Sequence, residues 1–224
     1  MEKSVFFDWT STLADESKLD RAVCKSMEEE FSRKNDVSLR VAEERFRKHL
    51  KSLENTWEWH DYILHGKVLG VDWKTNQEKN FGTLVLLPHA REVLEHTRSK
   101  GYKNIMATNA IRPVIELRAK YVGLKDLFDL IVGSDDVEAL KAEGKHFEYA
   151  SSFFDYSPNL SYSVGDNPVQ DILPAKRMGM KTIFCEFPRN FTYYHTNHIS
   201  GNHSELVQAD YTVSDLLQIK DIIK

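Results

Sequence analysis

Cysteine is scarce in this chain: only Cys24 and Cys185 are present, far apart in sequence. That excludes a disulfide framework and points to a reducing compartment. Long apolar runs are also lacking, and none approaches the ~20 residues that span a bilayer. Met1-Glu2-Lys3-Ser4 runs into an apolar segment without a signal-peptide pattern, so a cytoplasmic location is expected. There is no excess of positive charge. Lys and Arg number 30 against 34 Asp and Glu, a formal net charge of -4, which gives no electrostatic basis for nucleic acid or an anionic membrane as partner. No internal repeat or low-complexity tract is found, and no oligomeric state is assigned.

What is present is a run of strands that end in polar residues. Val5-Phe6-Phe7 is apolar and stops at Asp8, followed by Trp9-Thr10-Ser11-Thr12. This reads as a buried strand handing one carboxylate to a loop. Residues 17–56 then change texture: Leu19, Ala22, Val23, Met27 and Phe31 recur at three- and four-residue spacing, the mark of an amphipathic helix. Asn35-Asp36 breaks it, and a second helix begins after Ser38. An aromatic stretch follows, with Trp57, Trp59, His60, Tyr62, His65 and Trp73. It fills either a small helical core or the rim of a substrate pocket.

From Val85 onward strands and helices alternate. Helices are expected over about 89–99, 112–122, 144–154 and 169–178, and strands over 103–107, 128–133, 160–164 and 181–186. A short edge strand is expected over 210–213. This alternation predicts an α/β fold with a doubly wound parallel sheet. The expected organisation is a core of 1–16 and 82–224 with a helical domain, 17–81, inserted between.

A parallel sheet brings strand ends together along one edge, where open α/β sheets bind ligands. Asp8, Thr108-Asn109 and Asp166 all follow apolar strands. A carboxylate can accept a phosphoryl group and form an aspartyl phosphate. That chemistry needs a hard divalent cation, and Mg²⁺ takes carboxylates and phosphate oxygens. Asp166 and Asp171 are the further acidic candidates, Thr108-Asn109 the phosphate cradle, and a lysine the neutralising charge.

In order and spacing these segments resemble the haloacid dehalogenase-like (HAD) hydrolase superfamily over essentially the whole chain. Phe7-Asp8-Trp9-Thr10-Ser11-Thr12 is similar to its first motif, Ile105-Met106-Ala107-Thr108-Asn109 to its second, and Val164-Gly165-Asp166-Asn167-Pro168-Val169-Gln170-Asp171 to its fourth. The third motif is a lysine. Lys141 matches it, with Ala142 where proline is usual, and Lys145 is the competitor. The resemblance implies a Rossmann-like core, a helical cap over the active edge, a Mg²⁺ cofactor and a small phosphorylated substrate. It implies Asp8 as nucleophile and Lys141, Thr108 and Asn109 around the phosphate. The metal ligands it implies are Asp8, the Thr10 carbonyl, Asp166 and Asp171.

One position departs from that pattern. Thr10 stands where typical phosphatases of the family carry the acid that protonates the leaving group, and an aliphatic hydroxyl does not exchange protons readily near neutral pH. Three readings follow. The first is a Mg²⁺-dependent phosphatase favouring good leaving groups, with His60, Asp61 or His65 as the nearest substitute donors. The second is carbon–phosphorus or carbon–halogen cleavage, with Lys67 as a Schiff-base candidate. The third is a phosphate-binding scaffold without catalysis. Ser11 replaces the usual glycine, a small change if the backbone there avoids positive φ. His195 and His198 are spaced to ligate a metal but read as a surface loop.

Overall fold

The computed structural model describes residues 2–187 and 208–224. His195 and His198 lie outside them. A six-stranded sheet is built from β1 (Lys3–Phe7), β4 (Tyr102–Ala107), β5 (Leu130–Val132), β6 (Tyr162–Gly165), β7 (Lys181–Cys185) and β8 (Tyr211–Val213), in the order β5-β4-β1-β6-β7-β8. Every pairing in it is parallel. The order reverses between β1 and β6, and such a switch point opens a crevice at the carboxyl ends of the two strands. Asp8 follows one of those strands and Asp166 the other.

The strands are apolar on both faces because helices cover both. Along β1, Val5 and Phe7 enter one apolar cluster and Phe6 the other; on β4, Met106 and Ile105 divide in the same way. The first cluster includes Val93 and Leu94 of α5 (Ala90–Ser99), Val114 and Ile115 of α6 (Arg112–Tyr121) and Ile219 of α10 (Ile219–Ile222). The second includes Phe147 and Ala150 of α8 (Lys145–Ala150) and Ala175 of α9 (Leu173–Arg177).

Between β2 (Ala14–Asp15) and β3 (Val85–Leu86) the chain runs through α1 (Ser17–Asn35), α2 (Leu39–Ser52), α3 (Tyr62–Leu69) and α4 (Trp73–Asn80). β2 and β3 pair antiparallel, so the chain leaves and returns through a two-stranded stem. Leu19, Val23, Met27 and Phe31 form the buried stripe of α1 and join the first apolar cluster, with Ala42 and Phe46 from α2. The break at Asp36 is a left-handed residue (φ 52°) whose N–H bonds Ser32 O.

Two expected helices are shorter than the pattern suggested. The 144–154 segment is helical only as α8. The 169–178 segment splits into a wide turn over Pro168–Ile172 and then α9. Pro174 lacks the N–H that would continue the helical ladder, so a single regular helix cannot run through it.

Candidate active site

Register sets the site. Phe7 pairs with Met106 on one side and Val164 on the other, so the residues just beyond them converge. Asp8 N donates to Val164 O at 2.9 Å, and Thr108 N to Val132 O at 3.1 Å. Asp8, Asp166 and Asp171 each present a carboxylate oxygen within 4.8 Å of the others. All three are largely buried. Lys141 is buried with them: its Nζ lies 2.5 Å from Asp8 Oδ1 and 2.5 Å from Asp171 Oδ1. Lys145 is half-exposed and 3.6 Å from Glu143. Lys141 therefore joins the strand-end carboxylates and Lys145 does not.

Electrostatics follow from that packing. Burial, reinforced by Asp171 and opposed by Lys141, pushes Asp8 up to about 6. Burial alone would lower Lys141, but Asp171 and Asp8 overcome it and hold the ammonium well above its ordinary range. The turn after β6 keeps Asp171 in place. Asn167 N donates to Asp171 Oδ2 at 2.9 Å, and Ser163 Oγ to Asp171 O at 2.8 Å. Gly165 has no room for a side chain, since a Cβ there would overlap the Asp171 carboxyl group.

On the other side of Asp8, the Thr108 hydroxyl accepts from Ala110 N at 3.2 Å, which leaves its own proton for a ligand oxygen. The Asn109 side chain is turned to scaffolding. Its Oδ1 accepts from Lys141 N at 2.8 Å, and its Nδ2 donates to Gln170 Oε1 at 3.2 Å. Gln170 Oε1 also accepts from Ala142 N at 2.9 Å. His146 Nε2 bonds Thr108 O at 3.0 Å. A carbonyl only accepts, so Nε2 carries the proton. Burial, with the charge of Lys141, lowers this imidazole to about 3.

The loop after Asp8 turns sharply. Ser11 adopts a left-handed backbone, φ 62°, so the glycine replacement is not a small change: a Cβ now sits in a conformation disfavoured by about 1–2 kcal/mol. Ser11 N donates to Ala14 O at 2.7 Å and Ala14 N to Trp9 O at 3.0 Å, which brings Glu16 back beside residues 9 and 10. Trp9 Nε1 donates to Glu16 Oε1 at 2.6 Å, and Thr10 Oγ1 to Glu16 Oε2 at 3.0 Å. Arg118, 1% exposed, reaches Glu16 and Asp20 at 2.8 Å each and Gln77 Oε1 at 3.0 Å. Tyr62 OH donates to Asp20 Oδ1 at 2.7 Å. Burial pushes Glu16 above the usual carboxylate range against the pull of Arg118.

One cleft is lined by the Asp8–Lys141 cluster, by Thr108 and Asn109, and by Thr10, Glu16, Asp20, His60, Tyr62 and Arg118. The family model for haloacid dehalogenase-like hydrolases matches residues 2–179. The chain belongs to that family.

This HAD chain is 27% identical to the glyceraldehyde 3-phosphate phosphatase of Pyrococcus furiosus, over 99% of its own length and 93% of the relative's. It is 32% identical to pyrophosphatase PpaX of Bacillus cereus over 41% of its length and 42% of that protein's. Among solved structures, a HAD phosphatase from Thermococcus onnurineus superposes with a TM-score of 0.79, at 29% identity over 99% of this chain and 97% of the other. A 2-haloacid dehalogenase from Pseudomonas syringae (TM-score 0.70, 18% identity, 100% and 98% covered) shares the fold. The chain is an enzyme, a phosphatase-like HAD hydrolase.

Several groups around this HAD site escaped sequence reading. Glu16, Asp20 and Arg118 are charged residues beside buried apolar positions, next to Leu13 and Ala14, Leu19 and Val23, and Val114 and Ile115 respectively. A charge on an apolar stripe was the available signal. Of the substitute donors, His60 lines the cleft. Asp61 caps α3 by accepting from Leu64 N at 2.8 Å, and His65 is turned to His49 Nε2 and Trp59 O, each at 3.0 Å. Lys67 is exposed on α3, outside the cleft lining. Among the described residues no helix is long and apolar enough to cross a membrane.

Proposed function

We propose that the protein is a Mg²⁺-dependent phosphatase for small phosphate monoesters with an uncharged leaving group, working through an aspartyl phosphate on Asp8. The observation that carries this reading is the pairing of Lys141 with both Asp8 and Asp171 at 2.5 Å, beside Asp166, at the switch point of the sheet. The donor set suits a hard cation: three clustered carboxylates, with no His or Cys grouped with them among the described residues. Asp8, Asp166, Asp171 and the Thr10 carbonyl are its ligands in this reading. Bound there, Mg²⁺ offsets the repulsion between phosphate and carboxylates.

The chain's own groups do the rest. The Asp8 carboxylate attacks phosphorus and the bond to the leaving oxygen breaks. Lys141 and the Thr108 hydroxyl balance the charge on the transferring phosphoryl group. The leaving oxygen takes its proton from solvent, because the hydroxyl proton of Thr10 is engaged by Glu16. Water then attacks phosphorus, the bond to Asp8 breaks, and both water protons finish on the phosphate. The helical insertion, 17–81, serves as the cap and brings His60 and Tyr62 over the leaving group.

Charge favours an uncharged leaving group. The cleft cations Lys141 and Arg118 are each paired with two carboxylates, and Glu16 and Asp20 line the same space. A second phosphate or a carboxylate there meets like charge. By charge, triose and sugar phosphates fit, including the substrate named for the Pyrococcus relative, and pyrophosphate fits less well; with no acid at Thr10, monoesters with more acidic leaving groups turn over faster. The carboxylate cluster and the exposed position of Lys67 weigh against carbon–halogen and carbon–phosphorus cleavage.

The test is a panel of monoesters, pyrophosphate and a 2-haloacid, with and without Mg²⁺, on wild type and Asp8→Asn. Mg²⁺-dependent release of phosphate from monoesters, lost in Asp8→Asn, is expected. Turnover that survives Asp8→Asn, or halide release without metal, overturns the reading.

A further inference from the structure

The acid that is absent at position 10 leaves a question for the second half of the reaction, when water must be held against phospho-Asp8. The structure answers with a pair of residues. A threonine hydroxyl has one proton and two lone pairs. That proton is directed to Glu16 Oε2 at 3.0 Å, so whatever meets Thr10 from the cleft meets an acceptor. Glu16 itself cannot turn away. Its other oxygen accepts from Trp9 Nε1 at 2.6 Å and pairs with Arg118 Nη1 at 2.8 Å, and the residue is 2% exposed. Arg118 is held in turn by Asp20 and Gln77.

We infer that Thr10 orients the water that hydrolyses phospho-Asp8, and that Glu16 is its positioning residue, taking the hydroxyl proton so that a lone pair faces the cleft. The inference rests on the aspartyl-phosphate reading above. No group needs to change protonation state. Phospho-Asp8 and water give the Asp8 carboxylate and dihydrogen phosphate, with the carboxyl oxygen staying on Asp8 and both protons leaving on the product. The pair is one-sided: it assists hydrolysis of the intermediate and gives nothing to the leaving group in its formation.

Single-turnover experiments with a ³²P-labelled aryl phosphate and Mg²⁺ separate the two steps. Label on the protein is followed after acid quench, with hydroxylamine lability identifying the acyl phosphate. Thr10→Val should lose its label about ten- to a hundredfold more slowly than wild type, an effect larger than any on its formation. Thr10→Ser should restore the decay. Glu16→Gln keeps an oxygen for Trp9 and Arg118 but offers NH₂ to Thr10, which turns the hydroxyl proton toward the cleft; it should slow decay and spare formation.

Equal decay in Thr10→Val and wild type overturns the inference alone, and so does equal slowing of both steps in Glu16→Gln. Turnover without label on any of these proteins overturns phosphorylation of Asp8, and the inference with it.

Discussion

The ammonium of Lys141 lies 2.5 Å from Asp8 Oδ1 while making a second contact of the same length to Asp171. One buried cation thus balances two buried anions, and neither acid can be read without the lysine. Replacing Lys141 by Ala leaves both carboxylates without it. Turnover should fall about 10²–10³-fold. Lys145→Ala, at a half-exposed pair with Glu143, should leave turnover unchanged and stability within about 0.5 kcal/mol. Steady-state kinetics on the two variants checks the contrast.

Ser11 holds φ at 62°. Ser11→Gly removes a conformational cost of about 1–2 kcal/mol and adds about 0.4–1 kcal/mol of unfolded-chain entropy. The net expectation is a gain of about 0.5 kcal/mol. Ser11→Val, β-branched in a left-handed position, should lose stability. Urea unfolding midpoints in the order Gly, Ser, Val are the expected result.

Gly165 faces the Asp171 carboxyl group with no space for a methyl group. Gly165→Ala should cost about 1–3 kcal/mol and reduce turnover by displacing Asp171 from Lys141. Gly82, with nothing near its missing Cβ and no positive φ, is the control. Gly82→Ala should leave the rate unchanged and raise stability by about 0.4–1 kcal/mol.

His146 is fully buried, with Nδ1 unpartnered and its pKa lowered to about 3. Charging it would bury an N–H⁺ without an acceptor. Because the folded pKa lies below the unfolded one, the neutral ring contributes full stability above about 6.5, and that contribution shrinks as pH falls toward 3. Between pH 8 and pH 5 wild type should lose about 2 kcal/mol more stability than His146→Gln. Denaturant unfolding of both proteins at the two pH values measures the difference.

By itself the sequence determined the parallel sheet, its flanking helices and the convergence of Asp8, Thr108 and Asp166. Continuous apolar runs and polar strand ends are local signals, and parallel pairing carries them to one edge. It also marked the helical insertion, because the three- and four-residue spacing along α1 belongs to that helix alone. Lys141 was preferred to Lys145 on spacing, but only packing separates a lysine buried between two acids from one left half in solvent. The backbone at Ser11 was not legible, since a serine gives no sign of positive φ until the turn closes on Ala14.

Glu16, Asp20 and Arg118 belong to tertiary structure most of all. They come from β2's exit, from α1 and from a core helix a hundred residues on, and nothing in their local sequence pairs them. A buried charge persists only where its partner is brought to it. The absence of an acid at position 10 was plain from the chain; the presence of Glu16 behind Thr10 was decided by the fold.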